Sequence, residues 1–277
     1  MTQSINSLLN AMWQDYLALT PDAKPIHDYF ASQNNGSIVN DHIALRTFNH
    51  PKVCIEKIAR PFVEAGYVAE GEYEFPVKKL YAKHYRHPDD TLPKVFISEL
   101  LIEELSDKAQ TIIHALLDQL PETATGDNNF CYSGRPWAIT TQEYKVLAKE
   151  SEYASWLAAH GFRPNHFTIS INHLTSHSDI HTLNQTLLGQ NYVMNDSGGL
   201  VKGTPEVLLE QSSTKAKNIQ VTFSDGVLEI PGCYYEFALR YPMPDGQLYQ
   251  GFVAASADKI FESTDLHLNT PSPNSRT

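Results

Sequence analysis

The chain has 277 residues, of which 42% are hydrophobic and 19% are charged, and its formal net charge at pH 7 is −11. This is the composition of a soluble globular protein, and the acidic balance argues against nucleic acid as a partner. No apolar run reaches membrane-spanning length, and residues 1–10 lack the basic and apolar regions of a signal peptide. Because the 3 cysteines are few and widely spaced, we expect a cytoplasmic protein without a disulfide framework.

The N-terminal region predicts two helices before the first strand. Apolar residues recur at helical spacing along Ser4–Leu19, and Pro25–Ala31 is predicted as a second, shorter helix. We expect residues 1–270 to form a single domain that includes these helices in residues 1–32. The Pro- and Ser-rich tail, residues 270–277, is predicted to be flexible.

Asn40–Phe48 is predicted to be a strand with two different faces. Ile43 and Leu45 form an apolar face, while His42 and Arg46 lie on the other face, roughly 13 Å apart along the strand. A histidine can bind a metal and an arginine can bind a carboxylate. This face therefore suits a metal at one end of a pocket and an anionic substrate group at the other.

The first module continues as a helix and three more strands. The pattern predicts a helix over Val53–Ala65, extended segments over Tyr67–Glu74 and Val77–His84, and a fourth strand, Lys94–Leu100. A helical insert follows at residues 102–160. Ser106 is predicted to cap its first helix. Thr140 and Glu143 are predicted to form a capping box before a second helix, which reaches Ala159. We expect both helices to lie outside the cleft that the two modules form.

The second module repeats the first. Asn165–Ile171 is again a predicted strand in which a polar residue precedes a histidine, His166. The remaining predicted elements are a helix capped by Ser178 and ending at Leu188, middle strands within Asn191–Lys202 and Leu208–Phe223, a last strand Cys233–Tyr241, a hairpin Leu248–Ala255, and a helical turn Ala257–Phe261. We therefore predict an α+β fold. Two pseudo-symmetric βαβββ modules, residues 40–100 and 165–241, form a curved mixed sheet around a metal cleft.

Each module carries a histidine in its first strand and a glutamate in its fourth. The pairs are His42 with Glu99 and His166 with Glu236. If the modules are related by a two-fold axis, all four side chains converge in one cleft. Two imidazoles and one carboxylate form the facial triad of non-haem Fe(II) oxygenases. Glu99 can instead pair with a lysine or support a ligand from behind.

The residues alone leave three functions open. The first is an iron oxygenase, and the second is a hydrolase, isomerase or lyase that uses zinc or manganese as a Lewis acid. The third is a non-catalytic metal-binding module. The oligomeric state is not determined by the sequence.

Five stretches together resemble the 2-oxoadipate dioxygenase/decarboxylase family, also called hydroxyglutarate synthases, which is related to the vicinal oxygen chelate proteins. These stretches are His42–Phe48, Phe75–Leu80, Phe96–Leu100, Asn165–Thr168 and Tyr235–Ala238. The resemblance implies that His42, His166 and Glu236 bind Fe(II), and that Arg46 binds a substrate carboxylate.

It also implies that a 2-oxoacid and O2 are the substrates, with 2-oxoadipate converted to 2-hydroxyglutarate and CO2 in lysine catabolism. No membrane partner is implied. Better-known members of this family are longer, with further C-terminal sequence that reaches the substrate. The metal chemistry therefore carries over more directly than the choice of 2-oxoacid.

Overall fold

The computed structural model describes residues 4–264, so the predicted flexible tail lies outside the described residues. The α-helices are α1 (Ile5–Leu17), α2 (Ala23–Ser32), α3 (Ile55–Glu64), α4 (Asp107–Leu117), α5 (Thr141–Glu150), α6 (Glu152–His160), α7 (Ile180–Gly189) and α8 (Ala254–Phe261). The strands are β1 (Asn40–Phe48), β2 (Val68–Phe75), β3 (Leu80–Arg86), β4 (Lys94–Leu100), β5 (Pro164–Ser170), β6 (Lys202–Thr204), β7 (Leu209–Ser213), β8 (Asn218–Phe223), β9 (Gly226–Pro231) and β10 (Tyr234–Arg240). In this part of the chain, none of the helices has the length and apolar character needed to cross a membrane.

Eight strands form one mixed sheet in the order β2-β3-β4-β1-β5-β10-β7-β6. The central strands β1 and β5 are antiparallel, β4 runs parallel to β1, and β10 runs parallel to β5. Outward from β1, the sheet contains the first, fourth, third and second strands of one module. The same order of module positions is found outward from β5, so a two-fold relation exchanges the two halves of the sheet. Each half has the βαβββ order, β1-α3-β2-β3-β4 and β5-α7-β6-β7-β10. The predicted α+β fold is confirmed.

The middle of the second module differs from the prediction. Residues 191–201 contain no strand, and only a single bridge joins Met194 to Thr214. Gly198 and Gly199 both have positive φ, which is typical of turns and breaks a strand. The predicted stretch Leu208–Phe223 is divided between β7 in the main sheet and β8. β8 pairs with β9 in a separate hairpin that the sequence analysis did not anticipate.

Three helix and hairpin boundaries were also wrong. The predicted helix ending at Ala159 is interrupted at Ser151, whose extended backbone (φ −145°) ends α5 and whose side chain caps α6. Asp179, rather than Ser178, caps α7 by accepting from the backbone of Thr182. The predicted C-terminal hairpin is reduced to a bridge between Pro242 and Leu248.

The two faces of the main sheet have different neighbours. Ile43 and Leu45 are buried in the hydrophobic core on the face covered by α1, α3 and α7. The other face is concave and is covered by α8 and the residues just before it. The insert was expected outside this cleft, but the start of α6 closes one end of it. There Tyr153 donates a hydrogen bond to the backbone oxygen of Ser98.

Candidate metal centre

Three adjacent central strands bring His42, His166 and Glu236 together on the concave face. His42 lies near the start of β1, His166 on β5 and Glu236 on β10. The Nε2 atoms of the two histidines are 3.3 Å apart. Glu236 Oε1 lies 3.4 Å from His42 Nε2, and Glu236 Oε2 lies 3.1 Å from His166 Nε2. Among the described residues, this is the group of three whose ligand atoms all lie within 4.8 Å of one another.

The electrostatics of this cluster fit a divalent cation. All three side chains are buried, and Glu236 is 0% exposed. Burial lowers the pKa of both histidines, so their imidazoles are neutral and their lone pairs are available to a metal. Burial also raises the pKa of Glu236 to about 8, and no group in the part of the chain that the structure describes forms a hydrogen bond with its Oε2. A bound cation would supply both the counter-charge and the missing contact.

A polar neighbour orients each of the three side chains. Asp41 Oδ1 lies 2.8 Å from His42 Nδ1, and Asn165 Oδ1 lies 3.2 Å from His166 Nδ1. Gln211 donates through its Nε2 to Glu236 Oε1 at 2.6 Å. Such outer contacts set the direction of metal ligands. The site is therefore organised beyond its three central groups.

Arg46 lies on the same strand face as His42, and its guanidinium is buried. It packs over the rings of Tyr153 at 4.8 Å and Trp156 at 4.9 Å. Its Nη1 donates to Glu152 at 2.9 Å and its Nη2 donates to Thr264 at 3.2 Å. Among residues 4–264, its Nε has no hydrogen-bond partner. One edge of the guanidinium, from Nε to Nη2, is thus only partly satisfied by the protein.

The C-terminal segment, residues 249–264, nearly fills the space beside the cluster. A cavity of about 20 Å³ remains there, enough for roughly one water molecule. Phe252, Ala257, Ile260 and Phe261 of this segment line the cavity, together with His42, Phe96, His166, Gln211 and Glu236. The Phe261 ring also lies 5.7 Å from the guanidinium carbon of Arg46.

Glu99 lies on the opposite face of the sheet, so the predicted convergence of four side chains was wrong. It is the register partner of Thr47, whose side chain points away from the cleft. The Glu99 carboxylate accepts a hydrogen bond from the backbone N–H of Ile55 at 3.0 Å. Glu99 therefore caps the start of α3 instead of facing the metal cluster or supporting it.

Several residues around the site were not found from the sequence. Gln211 lies in the stretch whose strand pattern was least clear. Glu152 is separated from Arg46 by 106 positions, and no local pattern connects them. Asp41 did carry a signal, because a carboxylate directly before a strand histidine is a common way to orient a metal ligand.

Comparisons with known proteins show which sequences and structures this chain is similar to. A family model for 2-oxoadipate dioxygenase/decarboxylase matches residues 4–125 and 131–247. A chloroplastic 2-oxoadipate dioxygenase/decarboxylase of Arabidopsis thaliana is 36% identical, covering 93% of this chain and 76% of that protein.

Two solved structures are also similar along most of their length. The hydroxyglutarate synthase of Oryza sativa, solved in complex with 2-oxoadipate, has a TM-score of 0.87 and 34% identity, covering 94% of this chain and 92% of that one. A Shewanella frigidimarina protein whose name proposes a hydrolase has a TM-score of 0.87 and 54% identity, covering 92% of this chain and 99% of that one.

Proposed function

Because the chain belongs to the 2-oxoadipate dioxygenase/decarboxylase family, we propose that it converts 2-oxoadipate and O2 into 2-hydroxyglutarate and CO2, with Fe(II) held by His42, His166 and Glu236. The overall reaction balances: CO2 carries away the carboxylate next to the 2-oxo group, one atom of O2 enters the carboxylate formed at the former oxo carbon, and the other becomes the hydroxyl oxygen. The observation that carries the proposal is the buried cluster of two imidazoles and one carboxylate in the cleft of this family's fold.

The three side chains suit iron and an anionic substrate. Bound Fe(II) would supply the redox chemistry that activates O2 and a Lewis-acid centre for the 2-oxoacid group. Glu236 contributes one negative charge and the histidines contribute none, so a divalent site keeps a net positive charge. In a chain with a net charge of −11, this local charge attracts a dianionic substrate.

We expect Arg46 to hold the second carboxylate of the substrate. Its Nε and Nη2 atoms form one edge of the planar guanidinium, which can bind both oxygens of a carboxylate. Arg240 of this protein uses the same edge to bind Asp41, with N–O distances of 2.6 and 2.9 Å. Within the described part of the chain, the corresponding edge of Arg46 meets only the Thr264 hydroxyl. Glu152 accepts from Nη1 and fixes the direction of the guanidinium.

Aromatic side chains keep water away from the reacting part of the substrate. Phe96, Phe252 and Phe261 line the cavity beside the metal cluster. Apolar surroundings lower the local dielectric constant, which strengthens the ionic contacts of Arg46, and they limit side reactions with water. The chain's own residues therefore bind, orient and shield the substrate.

The test is anaerobic reconstitution of the metal-free protein with Fe(II), followed by O2 uptake with a panel of 2-oxoacids. We expect 2-oxoadipate to give O2 uptake, CO2 and 2-hydroxyglutarate in equal amounts, and 2-oxohexanoate, which lacks the second carboxylate, to react poorly. His42→Ala, His166→Ala and Glu236→Ala should abolish turnover and metal binding. His181→Ala, on the exposed face of α7, is the matched control.

Turnover that needs Zn²⁺ or Mn²⁺ but consumes no O2 would contradict the proposal and favour a hydrolase, isomerase or lyase. Metal binding without turnover of any 2-oxoacid would favour a non-catalytic module.

We further propose the cytoplasmic location that the sequence predicts. The thiols of Cys54, Cys131 and Cys233 are all free, which fits a reducing compartment. The Arabidopsis relative is named chloroplastic, so a plastid is the alternative location. Fractionation of cells that produce the native chain tests it directly, and recovery outside the cytoplasm would refute the proposal.

A further inference from the structure

Asp41 contacts a metal ligand although simple strand alternation would place it on the other face. The pairing of β1 with β5 is irregular between Asn40 and His42. At this irregularity the Asp41 carboxylate turns toward the cleft and lies 2.8 Å from Nδ1 of His42. Both side chains are 3% exposed, so water does not compete for this contact.

Arg240 fixes the Asp41 carboxylate from the opposite side. It lies at the end of β10, four positions after Glu236, and binds both Asp41 oxygens through Nε and Nη2 at 2.6 and 2.9 Å. Its Nη1 donates to the backbone oxygens of Tyr249 and Gly251 at 2.9 and 2.7 Å. The carboxylate therefore has little freedom to turn away from His42.

The same arginine also holds the residue that packs on His42. Its guanidinium lies 5.2 Å from the Phe252 ring. The Phe252 ring in turn meets the His42 imidazole edge-on, with centroids 4.8 Å apart. Arg240 thus controls the His42 ring from two directions, through Asp41 and through the backbone that places Phe252.

The two modules treat their histidines differently. A carboxylate can only accept a hydrogen bond, so Asp41 requires the proton of His42 to be on Nδ1 and leaves Nε2 free toward the cluster. The corresponding neighbour of His166 is the amide of Asn165, at the longer distance of 3.2 Å. An amide can donate or accept and does not select a tautomer by itself.

We propose that Asp41 and Arg240 are positioning residues for His42, which together fix its tautomer and ring direction so that Nε2 is ready to bind the metal. The inference rests on the proposed metal site but not on the identity of the substrate. A stabilising role alone is a weaker explanation, because a buried ion pair contributes little net stability compared with apolar side chains of similar volume.

The experiment measures Co²⁺ binding to the metal-free protein by calorimetry and by visible absorption. The part of the Co²⁺ binding that is lost in His42→Ala is assigned to the proposed metal site. In Asp41→Asn we expect this component to weaken by about 10- to 100-fold, with an altered absorption spectrum. Asn165→Ala, the matched change in the other module, should weaken it less.

A double variant separates positioning from stability. Asp41→Asn leaves the Arg240 cation buried without its counter-charge, which can destabilise the fold by itself. Asp41→Asn combined with Arg240→Gln removes both charges. We expect the double variant to bind Co²⁺ as weakly as Asp41→Asn.

Binding by the double variant as tight as that of the parent would overturn the inference, as would equal losses in Asp41→Asn and Asn165→Ala. These readouts do not depend on turnover. A parent protein that binds metal but oxidises no 2-oxoacid would refute the proposed function and leave this inference standing.

Discussion

Arg46 combines a permanent charge with almost complete burial. It is 2% exposed, and its charge is balanced by Glu152 at 2.9 Å and by the faces of two aromatic rings. A buried guanidinium with one incompletely bonded edge is costly unless a further acceptor binds there. A substrate carboxylate would complete its hydrogen bonds.

Arg46→Lys is expected to reduce kcat/KM for 2-oxoadipate by roughly 30- to 150-fold, about 2–3 kcal/mol, because lysine keeps the charge but cannot bind a carboxylate with a planar fork. For 2-oxohexanoate the loss should be much smaller. The measurement is steady-state O2 uptake well below the melting temperature, since a lysine cannot stack between Tyr153 and Trp156 and the fold will also be less stable. Equal losses with the two substrates would show that Arg46 does not bind the second carboxylate.

Strand alternation alone predicts which of the candidate site residues share a face of the sheet. His42 and Arg46 share a face because they are four positions apart in one strand, and Glu236 follows from the same rule in β10. Glu152 and Gln211 could not be found, because their contacts join positions far apart in the chain. Glu99 was assigned to the cleft from the repeat, but its register partner Thr47 places it on the opposite face.

Among the elements, α8 and the residues around it decide access to the site. The remaining cavity of about 20 Å³ is far too small for a six-carbon dicarboxylate. Thr264, just beyond α8, also occupies the Arg46 edge that a carboxylate would need. We therefore predict that binding of 2-oxoadipate requires the segment of residues 249–264 to move away from the cluster.

A reversible cross-link tests this requirement. Ser213 Oγ on β7 and Ser263 Oγ are 2.9 Å apart, so cysteines at both positions are close enough for a disulfide after small adjustments. The oxidised double variant should lose 2-oxoadipate binding and turnover, and reduction should restore both. Ser263→Cys alone, treated with the same oxidant, is the control. Unchanged kcat/KM in the oxidised double variant would show that the substrate enters without movement of this segment.

Elements were predicted well where a local pattern determines them. The bounds of β1 and β4 match the prediction, since alternation and flanking turns define both. The second module was less clear because the β8–β9 hairpin is inserted between β7 and β10 and has an alternating pattern of its own. The break between α5 and α6 depends on the backbone at Ser151, and a continuous helical pattern conceals it.

For the whole molecule, the repeat was the most informative signal. Two strands that each begin with a polar residue and a histidine predicted the two-fold sheet, and the strand order confirms it. The sequence could not show how the remaining parts join this sheet. One such connection is His160 at the end of α6, whose Nε2 lies 2.8 Å from the Pro231 carbonyl oxygen at the end of β9.

The buried His160 makes stability depend on pH. Burial lowers its pKa to about 3, from an ordinary value of 6.5, despite the hydrogen bond to Pro231. Between these values the unfolded chain binds one more proton than the folded protein, so the folded state loses stability as the pH falls below 6.5. From pH 7 to pH 5 this contribution falls by about 2 kcal/mol.

His160→Gln removes that titration and keeps a donor for the Pro231 oxygen. Between pH 7 and pH 5, the variant should therefore lose about 2 kcal/mol less of its free energy of unfolding than the parent does. Urea denaturation at both pH values measures the free energy of unfolding of each protein. Any loss of stability that the substitution causes equally at both pH values cancels in the comparison. The exposed His181→Gln should follow the parent. If His160→Gln loses as much stability as the parent, His160 already carries a proton in the folded protein at pH 5. In that case its burial between the insert and the second module does not limit acid stability.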